Sequence, residues 1–143
     1  MKLTLRWPPS LNHYYRHVGR RTLISREGRA YREHVRRLLA TQTCRDGNGP
    51  RKPPAGGRIA LAMDAYPPDR RKRDLDNVQK ALLDSLEKAR VYEDDSQIDL
   101  LLTQRRIVDK PCGHMLVEIV PLPLQRCLLC GRPLVESEHR HDN

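Results

Sequence analysis

The run from Asp69 to Ala89, DRRKRDLDNVQKALLDSLEKA, decides the fold. Within it Leu75, Val78, Leu82, Leu86 and Ala89 recur at helical spacing, so one stripe is apolar while the remaining surface is charged. Asp76, with Gln79 three residues on, has the pattern of a capping box, and the spacing predicts a helix over about 77–89. On its N-terminal side, Pro67-Pro68 stops a run over 58–66 in which Ile59, Leu61, Met63 and Ala65 alternate with Ala60, Ala62 and Asp64, the period of a strand. On its C-terminal side, Ile98, Leu100 and Leu102 share one face, and Met115, Val117 and Ile119 repeat the pattern. Two more strands are predicted there, joined around Lys110-Pro111-Cys112-Gly113.

Further upstream, Leu3, Leu5 and Trp7 alternate and end at Pro8-Pro9, which predicts a first strand. A polar loop NHYYRHVGRR over 12–21 follows. Ser25 then caps a helix over about 26–41, whose apolar positions are Tyr31, Val35, Leu38 and Leu39 and whose solvent face carries Arg29, Arg32, Arg36 and Arg37. The glycine- and proline-rich stretch 44–57 reads as a surface loop. The order strand, helix, strand, helix, strand, strand predicts an α+β (mixed α/β) fold, a small mixed sheet packed against two helices. Periodicity stops near Pro121, so residues 1–124 are expected to be one domain and residues 125–143 a C-terminal appendage.

With 143 residues and 38% hydrophobic side chains, the chain is long enough to bury a core. No stretch approaches the roughly 18 apolar residues that span a bilayer, and the N-terminus lacks an apolar signal region, so no membrane association is expected. Four cysteines, unevenly placed, fit a reducing compartment better than a disulfide framework. The charge is +9, from 27 Lys+Arg against 18 Asp+Glu. Residues 125–143 hold three arginines and three acids, so the excess belongs to residues 1–124, with 24 basic and 15 acidic side chains. A GC-rich genome would also favour arginine, so position has to decide whether the charge serves phosphate binding.

Position is informative at the helix start. Asp74 and Asp76 flank Leu75 directly after Arg70, Arg71, Lys72 and Arg73, and Lys80 stands one turn beyond Asp76. Acids at a helix N-terminus can be plain caps. Carboxylates set beside a polyanion-binding run repel phosphates unless a divalent cation lies between them, and Mg2+ prefers such hard oxygen ligands. A second acidic group, Glu93-Asp94-Asp95, follows the helix. A helix of 13 residues spans about 20 Å, so the two groups meet only if tertiary structure brings them together. Lys80 has the alternative of an i,i+4 pair with Asp76 or Asp84.

Four blocks together, WPPSLNHYYR over 7–16, ISREGRAYR over 24–32, RKRDLDNVQKA over 71–81 and DDSQ over 94–97, resemble the RusA family of Holliday junction resolvases. The resemblance runs over about residues 3–120. It implies an endodeoxyribonuclease that uses Mg2+, or Mn2+ in its place, and acts as a homodimer on four-way junction DNA in recombination and repair. It also implies the cytoplasm of a bacterium, with a host or phage gene. Position by position, Asp74, Asp76 and Asp95 match the catalytic acids and metal ligands, Lys80 the catalytic-site lysine, and Arg73 a basic residue of junction binding. Asn12, Tyr14, Arg16, Arg70, Arg71 and Lys72 are the further candidates for DNA contact, through phosphate pairing and base stacking. The competing reading is a non-catalytic nucleic-acid-binding module with a zinc-stabilised tail.

The appendage lies outside the resemblance. Cys127 and Cys130 form a Cys-x-x-Cys followed after eight residues by His139 and His141, a four-ligand inventory for structural Zn2+. The single residue between the two histidines makes joint ligation awkward, and a flexible tail is the alternative.

Overall fold

A computed structural model of the chain describes residues 1–45, 53 and 56–122, with 42–45 as backbone only. Four strands form one mixed sheet in the order β1-β6-β4-β5: β1 is Lys2–Arg6, β4 Ile59–Tyr66, β5 Ile98–Arg105 and β6 His114–Pro121. β6 pairs antiparallel with both β1 and β4, whereas β5 runs parallel to β4. The parallel pair needs a crossover, and helix α3, Asp76–Lys88, supplies it. Helix α2, Arg26–Arg45, packs against α3.

The alternation read from the sequence is the core. Leu3, Leu5, Leu61, Met63, Met115, Val117 and Ile119 are buried from the strands, and Tyr31, Val35, Val78, Leu82 and Leu86 meet them from the two helices. The mixed sheet against two helices is therefore as expected. β5 is different: a register shift after Ile98 turns Ile98 to the core beside Ile59 and so off the predicted face, while Leu100 and Leu102 share a face as predicted but lie exposed beside Ala60 and Ala62, on the side of the sheet away from the helices.

Two local expectations need correction. The stretch expected as a loop after Pro9 holds a one-turn helix α1, Leu11–Tyr14, and a hairpin of β2, Tyr15–Val18, with β3, Arg21–Ile24, closed by Gly19 at positive φ. The cap of α2 is as predicted, with Ser25 Oγ accepting from Gly28 N at 2.9 Å. Gly28 is required there, since a Cβ would stand 2.5 Å from the Tyr14 carbonyl. The capping box predicted for α3 does not form: Leu75 is the N-cap, and Gln79 instead donates to Thr103 Oγ1 on β5 at 2.7 Å. A capping box occurs one element later, where Asp94 and Gln97 close the 3₁₀ turn Asp95–Gln97. Residues 125–143 lie outside the described residues, as do the candidate zinc ligands Cys127, Cys130, His139 and His141.

Candidate active site

The crossover sets the start of α3 at the carboxyl ends of β4 and β5, the end of parallel strands where open α/β sheets bind ligands. A cleft of about 220 Å³ opens there, walled by Trp7, Pro67, Asp74 and Leu75 and by the arginines 70, 71, 73, 105 and 106. Asp74 and Asp76 are both exposed, and neither forms an ion pair among the described residues. Their close contacts are with Asn77, whose backbone N–H donates to Asp76 at 2.8 Å and whose amide reaches Asp74 at 3.5 Å. Most of their lone pairs are unspent.

The basic residues divide by how firmly they are held. Arg73 donates to both carboxylate oxygens of Asp69, at 2.5 and 2.7 Å, and its guanidinium lies 5.9 Å from the centre of the Trp7 ring. Arg105 donates to the Arg73 carbonyl and so fixes the loop to the end of β5. Arg73 holds the Asp69 carboxyl well below the ordinary carboxylate range, with help from the Arg71 N–H. Arg106 is tied to Asp64 at 2.8 Å. Arg70 and Lys72 are exposed and form no ion pair among the described residues, which leaves them for a ligand. Arg16 and Asn12 are exposed on the hairpin and α1. Tyr14 is a correction: it is wholly buried, with its hydroxyl 3.1 Å from Ser85 Oγ and accepting from Arg32 at 2.7 Å, and a ring without exposed surface cannot stack on a base.

Two turns into α3 the acids are arranged differently. Asp84 is 6% exposed and accepts from Lys80 Nζ at 2.8 Å and from the Tyr15 hydroxyl. Lys80 therefore forms the i,i+4 pair, and that hydrogen bond raises its pKa, so it stays charged. Asp95 is half-buried and accepts from Tyr92 at 3.1 Å. Burial first, then the Asp95 charge, push the Tyr92 phenol up. Oxygens of Asp84, Glu87 and Asp95 lie within 4.8 Å of one another, the acidic group among the described residues close enough to share a cation. Asp84 and Glu87 stand eight and eleven residues beyond Asp76, about 12 to 16 Å along the helix. Asp95 thus stands with Asp84 and Glu87, and its charge also acts on Lys80, one turn from Asp76. Glu87, Tyr15 and Tyr92 had no local signal in the sequence. Asp84 had one, as the next step of the Asp76, Lys80 stripe at i+4.

Residues 6–119 match the family described as Endodeoxyribonuclease RusA. The chain belongs to the RusA family. Its relatives include the crossover junction endodeoxyribonuclease RusA of Shigella sonnei, 44% identical over 96 residues, 67% of this chain and 74% of the relative. The protein of that name from Enterobacteria phage 82 is likewise 44% identical over 96 residues, with the same shares of the two chains. That of Escherichia coli O139:H28 is 39% identical over 109 residues, 76% of this chain and 82% of the relative. The RusA match spans β1 to β6 and so includes both acidic groups; the appendage falls beyond it. No helix among the described residues is long and apolar enough to cross a membrane.

Proposed function

We propose that this RusA-family chain is a Mg2+-dependent endodeoxyribonuclease that resolves four-way DNA junctions by hydrolysing a phosphodiester in each of two opposed strands. The observation that carries the reading is the exposed pair Asp74 and Asp76, free of ion pairs among the described residues, at the mouth of an arginine-walled cleft. A pure binding module gains nothing from acids aimed at the phosphates its arginines attract.

The donor set suits the ion. Asp74 and Asp76 offer hard carboxylate oxygens that neither capping nor salt bridges consume, and a Mg2+ or Mn2+ held by them, with Asp95 as the third acid, would neutralise phosphoryl charge and acidify the attacking water. Arg70 and Lys72 take the flanking phosphates. Arg73, braced by Asp69 and Trp7, shapes the loop from which the acids project. Lys80, kept protonated by Asp84, meets charge that develops on the scissile phosphate. Asp95 stands beside Asp84, and its charge acts on Lys80, one turn from Asp76; membership of the RusA family favours a homodimer. An isologous dimer also presents two equal sites to a nearly two-fold junction.

The test is a synthetic four-way junction against a matched duplex, each with Mg2+ or with EDTA. Paired symmetric cuts on the junction in Mg2+ alone support the reading. Equal cutting of duplex makes the chain a general nuclease, and no cutting of either favours the binding module.

A further inference from the structure

Two adjacent tyrosines tie α1 and the start of β2 to two adjacent residues of α3, and the two ties differ in kind. Tyr14 is wholly buried, and its hydroxyl accepts from Arg32 and meets Ser85 Oγ, which donates back to the Ala81 carbonyl at 2.7 Å. That chain of hydrogen bonds ends in the backbone of α3 and fastens one helix to another. Tyr15 is half-buried, its ring edge-on to that of Tyr14 at 4.8 Å, and its hydroxyl donates to Asp84 Oδ2. The other oxygen, Oδ1, accepts from Lys80 Nζ at 2.8 Å. This second chain ends on an amine whose side chain is 54% exposed. Burial, and then the hydrogen bond to Asp84, raise the pKa of the Tyr15 phenol, so it keeps its proton and stays a donor. Among the described residues Tyr15 and Lys80 are the side-chain donors to Asp84, one for each oxygen.

We infer that Tyr15 is a positioning residue for Lys80: by occupying one oxygen of Asp84 it limits the lysine to a single bond with the other and leaves two of its N–H donors for the scissile phosphate. An ammonium group has three such donors, and its stem turns freely enough to spend more than one of them on a carboxylate. Without the Tyr15 hydroxyl, Oδ2 of a buried carboxylate lacks a partner, which is costly, and Lys80 is the cation already in contact that can supply one. The amine is then drawn down between both oxygens of Asp84 and away from a phosphate bound at the start of the helix. The inference rests on the catalytic reading of Lys80 for its effect on cutting, and on the hydrogen bonds at Asp84 alone for the place of the amine.

Tyr15→Phe, Tyr14→Phe, Lys80→Ala and the double variant Tyr15→Phe with Lys80→Ala, all in the full chain, test it by two measurements. Each tyrosine variant keeps its ring and loses one hydroxyl from neighbouring contacts, so Tyr14→Phe is the control for a purely structural loss. The first measurement is acetylation by acetic anhydride, read by mass spectrometry at Lys80 relative to the exposed Lys110. Lys80 should react about threefold more slowly in Tyr15→Phe, because the closer pair leaves less unprotonated amine, and at the wild-type rate in Tyr14→Phe. The second is single-turnover cutting of a four-way junction in Mg2+. Tyr15→Phe should cut about tenfold more slowly at unchanged junction affinity, and should cost nothing further in the Lys80→Ala background. Acetylation of Lys80 that is unchanged or faster in Tyr15→Phe, or slowed equally in Tyr14→Phe, overturns the inference. So does a full additional loss of cutting in the double variant, since Tyr15 then acts through something other than Lys80. If Tyr15→Phe slows the acetylation while Lys80→Ala cuts as wild type does, the catalytic reading of Lys80 fails and the positioning stands.

Discussion

At the start of α3, Asp74 and Asp76 are exposed and keep their lone pairs, whereas two turns later Asp84 is buried and gives its oxygens to Lys80 and Tyr15. The side chains are chemically alike and share one helix. The difference lies in what surrounds them: the start of the helix lies beside a cleft, and further along the helix packs against α1, where Tyr14 and Tyr15 reach Ser85 and Asp84. A carboxylate that already satisfies two donors is committed to the fold, and a carboxylate without them can take a cation. The first end is thus read as the place where the reaction occurs and the second as its support, with Lys80 between them.

Changes at Lys80 bear most heavily on this contrast. Lys80→Ala is expected to lower single-turnover cutting by about 100-fold while junction affinity changes little. If only the melting temperature moves, Lys80 belongs to the support. Next comes Asp84→Asn, which weakens a buried charge pair and should cost about 1–3 kcal/mol in a urea titration. Unchanged stability would make the two ends of α3 alike. A smaller effect is expected at the cleft wall: Arg70→Ala or Lys72→Ala should each reduce the salt slope of junction binding by about 1, read by fluorescence anisotropy across a KCl series. The smallest concerns Asp69. Its carboxyl is depressed below the ordinary 3.8, so its contribution to stability is complete above that pH and disappears as the pH falls through the folded value. Asp69→Asn should therefore lose less stability than wild type on acidification from about pH 5 to about pH 3, and an equal loss would show that the brace on Arg73 is inert.

The sequence makes some of this legible and hides the rest for physical reasons. α3 can be read because Val78, Leu82 and Leu86 all face one sheet, so burial follows the helical period. Ser25 can be read as a cap because the interaction spans three residues. β5 misleads: its alternating leucines look like a core face, yet a register shift after Ile98 sets Leu100 and Leu102 beside Ala60 and Ala62, on the sheet face away from the helices. The hairpin after α1 is too short and too polar for periodicity to reveal, although Gly19 between Val18 and Arg20 is a turn signal. Within the site, the Asp74, Asp76 and Lys80 pattern is local and visible. The tie from Tyr15 to Asp84 joins residues 69 apart in sequence, and spacing cannot anticipate it. Tyr14 shows the converse, where an aromatic-basic stretch suggests a DNA contact and the ring instead fills the core.

The central claim is that the free acids at the start of α3 do the cutting. Its most direct measurement follows Asp74→Asn and Asp76→Asn on a labelled four-way junction in Mg2+, with binding and cleavage read in the same samples. Each variant is predicted to bind the junction as wild type does and to leave it uncut; cutting at the wild-type rate by both would contradict the claim.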